Sequence, residues 1–209
     1  MIFYDCSTAP SPRRARMFIR EKGIEVETRN INIGEGEQFS AAFLAVNPGA
    51  TVPALVTDEG VTLAENTGIA AYLEAQFPEP PLMGRTAEEK GLVAMWNSIC
   101  ETQCGWAIAE ALRNGNPRMA GRALPGPQNY EQIPELAERG KARLAVFFDV
   151  LEDRLQSSPY LASDAFTFAD ITGYVFVSFA RVVKMGIPDG NTASKAWFDT
   201  IAARPSAAF

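Results

Sequence analysis

The chain has 209 residues, of which 47% are apolar and 21% are charged, and this balance excludes disordered, collagen-like and disulfide-scaffold proteins. The formal net charge of −6 argues against nucleic acid as a partner, because an acidic surface repels the phosphate backbone. The sequence has no histidine, which excludes imidazole-based triads and histidine zinc sites. Any chemistry must therefore use hydroxyls, carboxylates, thiols, main-chain amides or the reactive group of a bound molecule.

Cysteine content and terminal composition predict a cytoplasmic protein with no metal and no membrane partner. The three cysteines, Cys6, Cys100 and Cys104, are too few and too irregular for a disulfide framework. The pair at 100 and 104 is interpreted as two small core residues rather than half of a metal site. No signal peptide precedes Cys6, and no apolar stretch is long enough to span a bilayer.

The first third of the chain mixes strand and helix patterns. Apolar periodicity and turn residues predict, in chain order, a strand at 2–4, a helix at 13–22, a strand at 24–33, a helix at 39–46, a strand at 52–57, a strand at 61–63 and a helix at 67–77. Asn66 is expected to cap the last of these helices. The predicted order is βαβαββα.

The rest of the chain predicts only helices. Pro78-Glu79-Pro80-Pro81 forms a stiff break. After it, helices are expected at 86–112, 135–155, 168–184 and 193–203, the third opened by a capping box from Thr167 to Asp170. The prediction is an α/β domain at 1–78, a linker at 79–86 and an all-α domain at 87–209. The irregular connection 113–134 is either a wall of a substrate pocket or a surface insertion.

Three segments of the first domain could bind a ligand. Val52-Pro53 opens a strand, and a cis bond there would turn the main chain of Val52 outward for an extended peptide, although most such bonds are trans. Glu65 and Asn66 begin a helix whose N-terminus could hold a carboxylate while Glu65 pairs with an ammonium group. The alternative is a plain helix cap with a solvated glutamate. Hydroxyls between Cys6 and Pro12 could stabilise a bound thiolate or serve only as caps.

Five motifs, in the same order and at the same spacing, resemble those of cytosolic glutathione transferases across the whole chain. They are Pro10-Ser11-Pro12-Arg13-Arg14-Ala15-Arg16 followed by Glu21-Lys22-Gly23-Ile24; Phe43-Leu44-Ala45-Val46-Asn47-Pro48; Thr51-Val52-Pro53-Ala54-Leu55; Glu65-Asn66 with Ile69 and Tyr72-Leu73; and Phe166-Thr167-Phe168-Ala169-Asp170 with Ala203-Arg204-Pro205. The resemblance implies a thioredoxin-like domain followed by an all-helical domain, a cytoplasmic homodimer, and glutathione as co-substrate without a metal.

The resemblance also implies roles for particular residues. Val52, ahead of Pro53, would pair its main chain with the cysteinyl part of glutathione. Glu65 and Asn66 would hold the γ-glutamyl group, with Asn66 replacing the usual serine. Gln38 falls where relatives carry a polar or basic residue toward the glycyl carboxylate. Thr51 falls where a lysine is common, so that charge contact is lost.

The departure from the family pattern lies at the thiol-activating position. The serine or cysteine of many classes falls on Ala9, which cannot donate a hydrogen bond. The expected activating group is Ser11, followed by Thr8 and then Ser7. Cys6 either packs at the end of the strand or forms mixed disulfides.

The resemblance leaves more than one function open. The first expectation is transfer of the glutathione thiolate to a small hydrophobic electrophile, in detoxification. Trp106, Trp96, Met119 or Tyr130 either line its pocket or pack in the helical core. The alternatives are a disulfide reductase, an ether- or halide-cleaving relative, and a glutathione-binding protein that has lost catalysis.

Overall fold

The computed structural model describes residues 1–208, which divide into two compact units. The first unit comprises Met1–Pro80 and Pro125–Asn129, and the second comprises Pro81–Leu124 and Tyr130–Ala208. The continuous part of the first unit therefore ends at Pro80. The unit also takes five residues from the long connection in the helical half of the sequence.

The first unit contains a four-stranded mixed sheet. Its strands are β1 (Ile2–Asp5), β2 (Glu27–Asn30), β3 (Ala54–Val56) and β4 (Thr62–Ala64), in the spatial order β2-β1-β3-β4. Strands β1 and β2 are parallel, and the other two pairs are antiparallel. This thioredoxin-like arrangement confirms the predicted βαβαββα order.

The helices of this unit are α1 (Pro10–Glu21), α2 (Ala41–Leu44) and α3 (Asn66–Gln76). The predicted helix at 39–46 is only one turn of α-helix, preceded by a 3₁₀ turn at Glu37–Phe39. The predicted strand at 24–33 shortens to β2, because all four of its residues are exposed and only their main chain pairs with β1.

Apolar side chains fill both faces of the sheet. Tyr4, Ile31, Phe43 and Ala54 form a buried cluster. Among the other fully buried side chains of the unit are Phe3, Met17, Phe18, Leu55, Ile69 and Leu73, which come from the strands, α1 and α3. Removing each large side chain from water contributes about 1.5–3 kcal/mol to folding.

Lys22 joins the end of α1 to the end of α3. Its side chain is fully buried, and its ammonium group donates to the carbonyls of Phe77, at 2.8 Å, and Pro80. The ammonium group also forms an ion pair with Glu74. These acceptors offset the cost of burying the charge, so the exit of the chain from α3 is fixed.

The second unit contains five α-helices among its described residues. They are α4 (Ala87–Ile99), α5 (Trp106–Gly115), α6 (Pro134–Leu155), α7 (Phe168–Phe179) and α8 (Thr192–Ala202). The single helix predicted at 86–112 is instead α4 and α5 joined by a π-helical segment, Cys100–Gly105. The third predicted helix ends early, because the chain tightens into a 3₁₀ turn at Ala180–Val183.

Helices α5 and α6 pack closely at Gly140. A Cβ atom at this position would lie 2.5 Å from the carbonyl oxygen of Ala107 and 2.8 Å from the amide nitrogen of Ala111. The main chains of the two helices thus approach each other at a distance that no larger residue allows.

Two buried carboxylates fix the remaining helices. Asp170 completes the predicted capping box of α7 with Thr167, and it accepts hydrogen bonds from Leu161 N–H (2.9 Å) and Trp197 Nε1–H (3.0 Å). Glu152 of α6 accepts from the N–H and the hydroxyl of Ser194 at the start of α8. Both helices are therefore capped by side chains rather than by solvent.

The connection between α5 and α6 is held by hydrogen bonds along its length. The Gln132 amide donates to the carbonyls of Arg113 and Asn116, and Arg113 donates to the carbonyl of Arg122. Arg122 also forms a β-bridge with Tyr130. This segment has a defined structure although it contains little helix.

Candidate active site

The register of three strands brings the predicted binding segments to one edge of the sheet. Tyr4 of β1 lies opposite Ala54 of β3, and Ala54 lies opposite Ala64 of β4. Because β3 is antiparallel to both neighbours, the residue before Ala54 and the residues after the other two strands emerge together. The turn before α1, the Val52-Pro53 segment and the start of α3 therefore meet at this edge.

Val52 lies outside the strand ladder at this edge. The Val52-Pro53 bond is cis, as expected from the sequence. Pairing with β1 and β4 begins only at Ala54, so Val52 pairs with neither strand. Val52 is half-buried and Pro53 is buried. The main chain of Val52 is thus free of the sheet, as main-chain pairing with a peptide requires.

Asn47 shapes the loop that leads to Val52. Its buried side-chain amide donates to the Thr51 carbonyl at 2.8 Å and to the Thr51 hydroxyl at 3.2 Å, and its carbonyl oxygen accepts from Gly49 N–H at 3.0 Å. Ala50 in this loop has a φ of 51°. In the sequence Asn47 is only one residue of the Phe43–Pro48 motif, and the structure shows that its side chain holds the loop before Val52.

The N-terminus of α3 differs from the prediction in its cap. Glu65, rather than Asn66, is the N-cap residue, and its side chain makes no capping hydrogen bond. Glu65 has a φ of 64° and a ψ of 135°, and its side chain is exposed. Asn66 is the first helical residue, buried, and its Oδ1 atom has no hydrogen-bond partner within residues 1–208. The helix end thus has no cap from the Glu65 side chain, and this amide oxygen has no partner among the described residues.

The N-terminus of α1 offers a single main-chain donor. A helix leaves the first four N–H groups without intrahelical acceptors, here those of Ala9, Pro10, Ser11 and Pro12. The two prolines have no N–H, and Ala9 N–H donates to the carbonyl of Cys6 at 3.1 Å. The N-cap residue, Ala9, has no side-chain oxygen to act as a cap. Ser11 therefore carries the remaining N–H of this turn together with a hydroxyl group.

The other two predicted hydroxyls lie in the turn before α1 and are exposed. The Thr8 hydroxyl is 3.4 Å from Cys6 Sγ, so it already has a partner. Ser7 donates its N–H to the side chain of Asn30 at 3.2 Å. Cys6 is buried at the end of β1, which agrees with the packing interpretation.

Asp5 holds this turn through both oxygens of its carboxylate. Its Oδ1 accepts from Cys6 N–H at 2.7 Å, and its Oδ2 pairs with Arg16 of α1 at 2.5 Å. The sequence signal for this structural role of Asp5 is a charged residue at the end of an apolar strand, and Asp5 was not among the predicted site residues. Asp5 fixes both the turn and the first helix.

The resemblance assigned Gln38 and Thr51 to the glycyl end of the ligand. Gln38 lies in the 3₁₀ turn before α2, and its Oε1 is buried without a hydrogen-bond partner in residues 1–208. The Thr51 hydroxyl accepts from Asn47. The unpartnered amide oxygens of Gln38 and Asn66 fit a ligand that carries hydrogen-bond donors, since such groups cost about 1–3 kcal/mol when left unpaired.

The aromatic residues proposed for an apolar pocket separate into two groups. Trp106 and Tyr130 are exposed to 52% and 44%, whereas Trp96 is 9% exposed and packs in the helical core. Met119 is half-buried. Cys100 and Cys104 are fully buried, and burial, with a smaller contribution from Cys100, raises the pKa of the Cys104 thiol.

Within residues 1–208, no group of three or more acidic or thiol side chains could hold a metal ion. No helix in the same range is long and apolar enough to cross a membrane.

A thioredoxin-like domain in which the Val52-Pro53 segment lies beside two helix ends without side-chain caps, followed by a helical domain, has the architecture of glutathione S-transferases. Family models for the N-terminal and C-terminal domains of glutathione S-transferase match residues 8–76 and 117–205. Glutathione S-transferase 2 of Saccharomyces cerevisiae is 35% identical over 99% of this chain and 87% of its own length. Glutathione S-transferase F9 of Arabidopsis thaliana is 29% identical over 94% of the chain and 89% of its own length.

Solved structures agree with this assignment. A glutathione S-transferase domain-containing protein from Marinobacter aquaeolei has a TM-score of 0.91 at 31% identity, with both chains fully covered. Gtt2 of Saccharomyces cerevisiae has a TM-score of 0.89 at 32% identity, covering 99% of this chain and 98% of its own. The chain belongs to the glutathione S-transferase family, and it is a transferase with glutathione as its co-substrate.

Proposed function

We propose that the protein transfers the thiolate of glutathione to a small hydrophobic electrophile, with Ser11 as the group that stabilises the thiolate. The observation that carries this proposal is the common sheet edge, where the free main chain of Val52 lies beside the ends of α1 and α3. A thiolate supplies the nucleophile, and a helix N-terminus favours negative charge near it.

The residues at the edge suggest an orientation for the peptide. The main chain of Val52 pairs with the central cysteinyl residue. The start of α3 receives the γ-glutamyl carboxylate, and Glu65 receives its ammonium group. The unpaired amide oxygens of Asn66 and Gln38 accept hydrogen bonds from N–H groups of the peptide near its two ends.

The energy needed to activate the thiol is within reach of Ser11. A cysteine thiol ordinarily has a pKa of about 8.5, and lowering it by about 2 units requires roughly 3 kcal/mol. A hydroxyl hydrogen bond to the thiolate contributes about 1.5–3 kcal/mol. The end of α1 adds about 0.3–1 kcal/mol. No histidine or metal is required.

The transfer breaks the S–H bond and the bond to the leaving group, and it forms the S–C bond and an O–H bond in the solvent. The thiol proton passes to solvent water, the sulfur lone pair forms the new S–C bond, and a leaving group such as halide departs with its bonding electrons. The Ser11 hydroxyl and N–H hold the sulfur in its charged form during this step.

The test is the pKa of the bound glutathione thiol, measured from thiolate absorbance against pH. In the unmodified protein we expect a value well below that of the free thiol. Ser11→Ala should raise this value by about 1–2 units, because the hydroxyl is lost while the N–H remains. Ser7→Ala, a matched serine in the exposed turn, should leave it unchanged.

Other results would redirect the proposal. Binding with an unshifted thiol pKa would favour a glutathione-binding protein without catalysis, which the alanine at position 9 makes a real alternative. No change in Ser11→Ala, with a rise in Thr8→Ala, would move the role to Thr8. Faster turnover of disulfides than of aryl halides would favour a reductase.

We propose further that the protein is a cytoplasmic homodimer that takes part in detoxification. Leu92 and Met95, one turn apart on α4, are exposed to 39% and 46%, and such apolar neighbours are typical of a covered face. Sedimentation equilibrium should give a mass twice that of one chain. A monomer at micromolar concentration would contradict the proposal.

A further inference from the structure

A short piece of the long connection between α5 and α6 belongs with the first unit. The chain leaves the second unit after Leu124 and returns to it at Tyr130, and the residues between, Pro125–Asn129, group with the α/β domain. We call Pro125–Asn129 the loop tip. Nothing in the sequence pattern predicted that this segment would join the domain that carries Val52.

The base of the loop tip is closed by main-chain hydrogen bonds. Ala123 N–H donates to the Tyr130 carbonyl at 3.1 Å, and Tyr130 N–H donates to the Gly121 carbonyl at 2.9 Å. Arg122 and Tyr130 form the β-bridge at this point. The tip is therefore a loop whose two ends are held together by hydrogen bonds.

The loop tip lies against the loop that positions Val52. Gly126 has a φ of +108°, and a Cβ atom built on it would lie 3.7 Å from the carbonyl oxygen of Gly49. Gly49 N–H is bound by the side chain of Asn47, which also holds Thr51. A displacement at Gly49 is thus transmitted through a hydrogen-bonded loop to the residue that precedes Val52.

We propose that the loop tip sets the specificity of the protein for the C-terminal residue of the thiol peptide. This inference rests on the proposed function, in which the γ-glutamyl end lies at α3 and the cysteinyl residue pairs with Val52. The terminal residue then extends away from α3, toward Gln38 and Thr51. The tip packs against Gly49 in the loop that holds Thr51. It therefore limits the space for a terminal residue and fixes the position of the loop that contacts this residue.

The test compares glutathione with γ-glutamylcysteine, which lacks the terminal glycine, as substrates with the same aryl halide. Gly126→Ala adds a methyl group where the positive φ favours glycine, and so displaces the tip. Its preference for glutathione, as a ratio of kcat/KM values, should fall by about tenfold, the effect of a contact the size of one methylene group. Gly121→Ala is the matched control, since Gly121 also has a positive φ (+71°) but nothing within 4 Å.

Each outcome supports or overturns the inference. An unchanged ratio in Gly126→Ala, or an equal fall in Gly121→Ala, would overturn it. If Gly126→Ala does not fold, Pro127→Gly carries the test, because it loosens the tip without adding a side chain and should also lower the ratio. Calorimetric binding of the S-hexyl tripeptide and dipeptide should show the same change in ratio without catalysis. Failure of the unmodified protein to bind either thiol would instead refute the proposed function.

Discussion

From the backbone conformation of Glu65 we expect Glu65→Gly to raise the stability of the protein relative to Glu65→Ala and to lower its affinity for glutathione. With a φ of 64° and a ψ of 135°, Glu65 has a conformation that glycine adopts readily and other residues do not. Such a residue costs about 1–3 kcal/mol. Because its exposed side chain makes no capping bond, little in the free protein compensates for this cost.

Two variants separate the backbone from the side chain. Glu65→Ala keeps the Cβ atom and so keeps the strain, and its free energy of unfolding should stay within about 0.5 kcal/mol of the original. Glu65→Gly removes the strain and so raises the free energy of unfolding. About 0.5–1 kcal/mol of this gain is lost, because glycine has greater freedom in the unfolded chain. The expected gain of Glu65→Gly over Glu65→Ala is therefore about 0.5–2 kcal/mol.

Binding should change in the opposite direction. Both variants lose the carboxylate that receives the γ-glutamyl ammonium group, a charged hydrogen bond of about 1.5–3 kcal/mol. The dissociation constant for glutathione should rise roughly 10- to 140-fold in each, since about 1.4 kcal/mol corresponds to a factor of ten.

Urea unfolding and calorimetry of glutathione binding measure the two effects. A glycine variant less stable than the alanine variant would refute the assignment of strain to Glu65. An unchanged dissociation constant in both variants would refute its role in binding.

Two further predictions concern the helical unit. Asp170→Ala leaves the buried donors of Leu161 and Trp197 without an acceptor, so it should lower the free energy of urea unfolding by about 3–5 kcal/mol. Trp197→Phe removes only one donor and should cost less; a larger loss in Trp197→Phe would contradict the account. For Glu152, burial alone would raise the pKa, but hydrogen bonds from the N–H and hydroxyl of Ser194, from the N–H of Ala193 and from the Gln156 side chain outweigh it and lower the pKa below its ordinary value. The contribution of Glu152 to the free energy of unfolding should be present above about pH 4.5 and lost as the pH falls further. The difference in unfolding free energy between the original protein and Glu152→Gln should therefore narrow below that pH. A difference independent of pH would argue against this role of Glu152.

The sequence predicted the local backbone features of these segments, a proline after Val52 at the start of a strand and a helix that begins near Asn66, because each is a local pattern. The proline after Val52 and the acidic residue before α3 are recognisable within a few residues. The capping box of Thr167 and Asp170 was predicted for the same reason. What the local patterns could not provide was the strand register that brings the first two segments to one edge.

The errors arise where long-range contacts override a local pattern. The alternation of apolar and polar residues from Ile24 to Ile33 predicted a long strand. Only Glu27–Asn30 forms a strand, because β1, its partner, has just four residues. Helical periodicity ran through Cys100–Gly105 without a sign of the π-helical segment. Asn66 was a reasonable cap by residue type, but the main chain of Glu65 turns into the left-handed region and takes that position.

The two carbonyl acceptors and the Glu74 carboxylate around the Lys22 ammonium group also bear on how the protein folds during synthesis. A fragment ending at residue 78 would lack the Pro80 carbonyl and leave this buried cation one acceptor short. Even a fragment ending after Pro80 would lack the loop tip, because residues 81–124 intervene. On the ribosome, the α/β domain thus cannot reach its final form until much of the second domain has been translated, although its own sheet and helices emerge first.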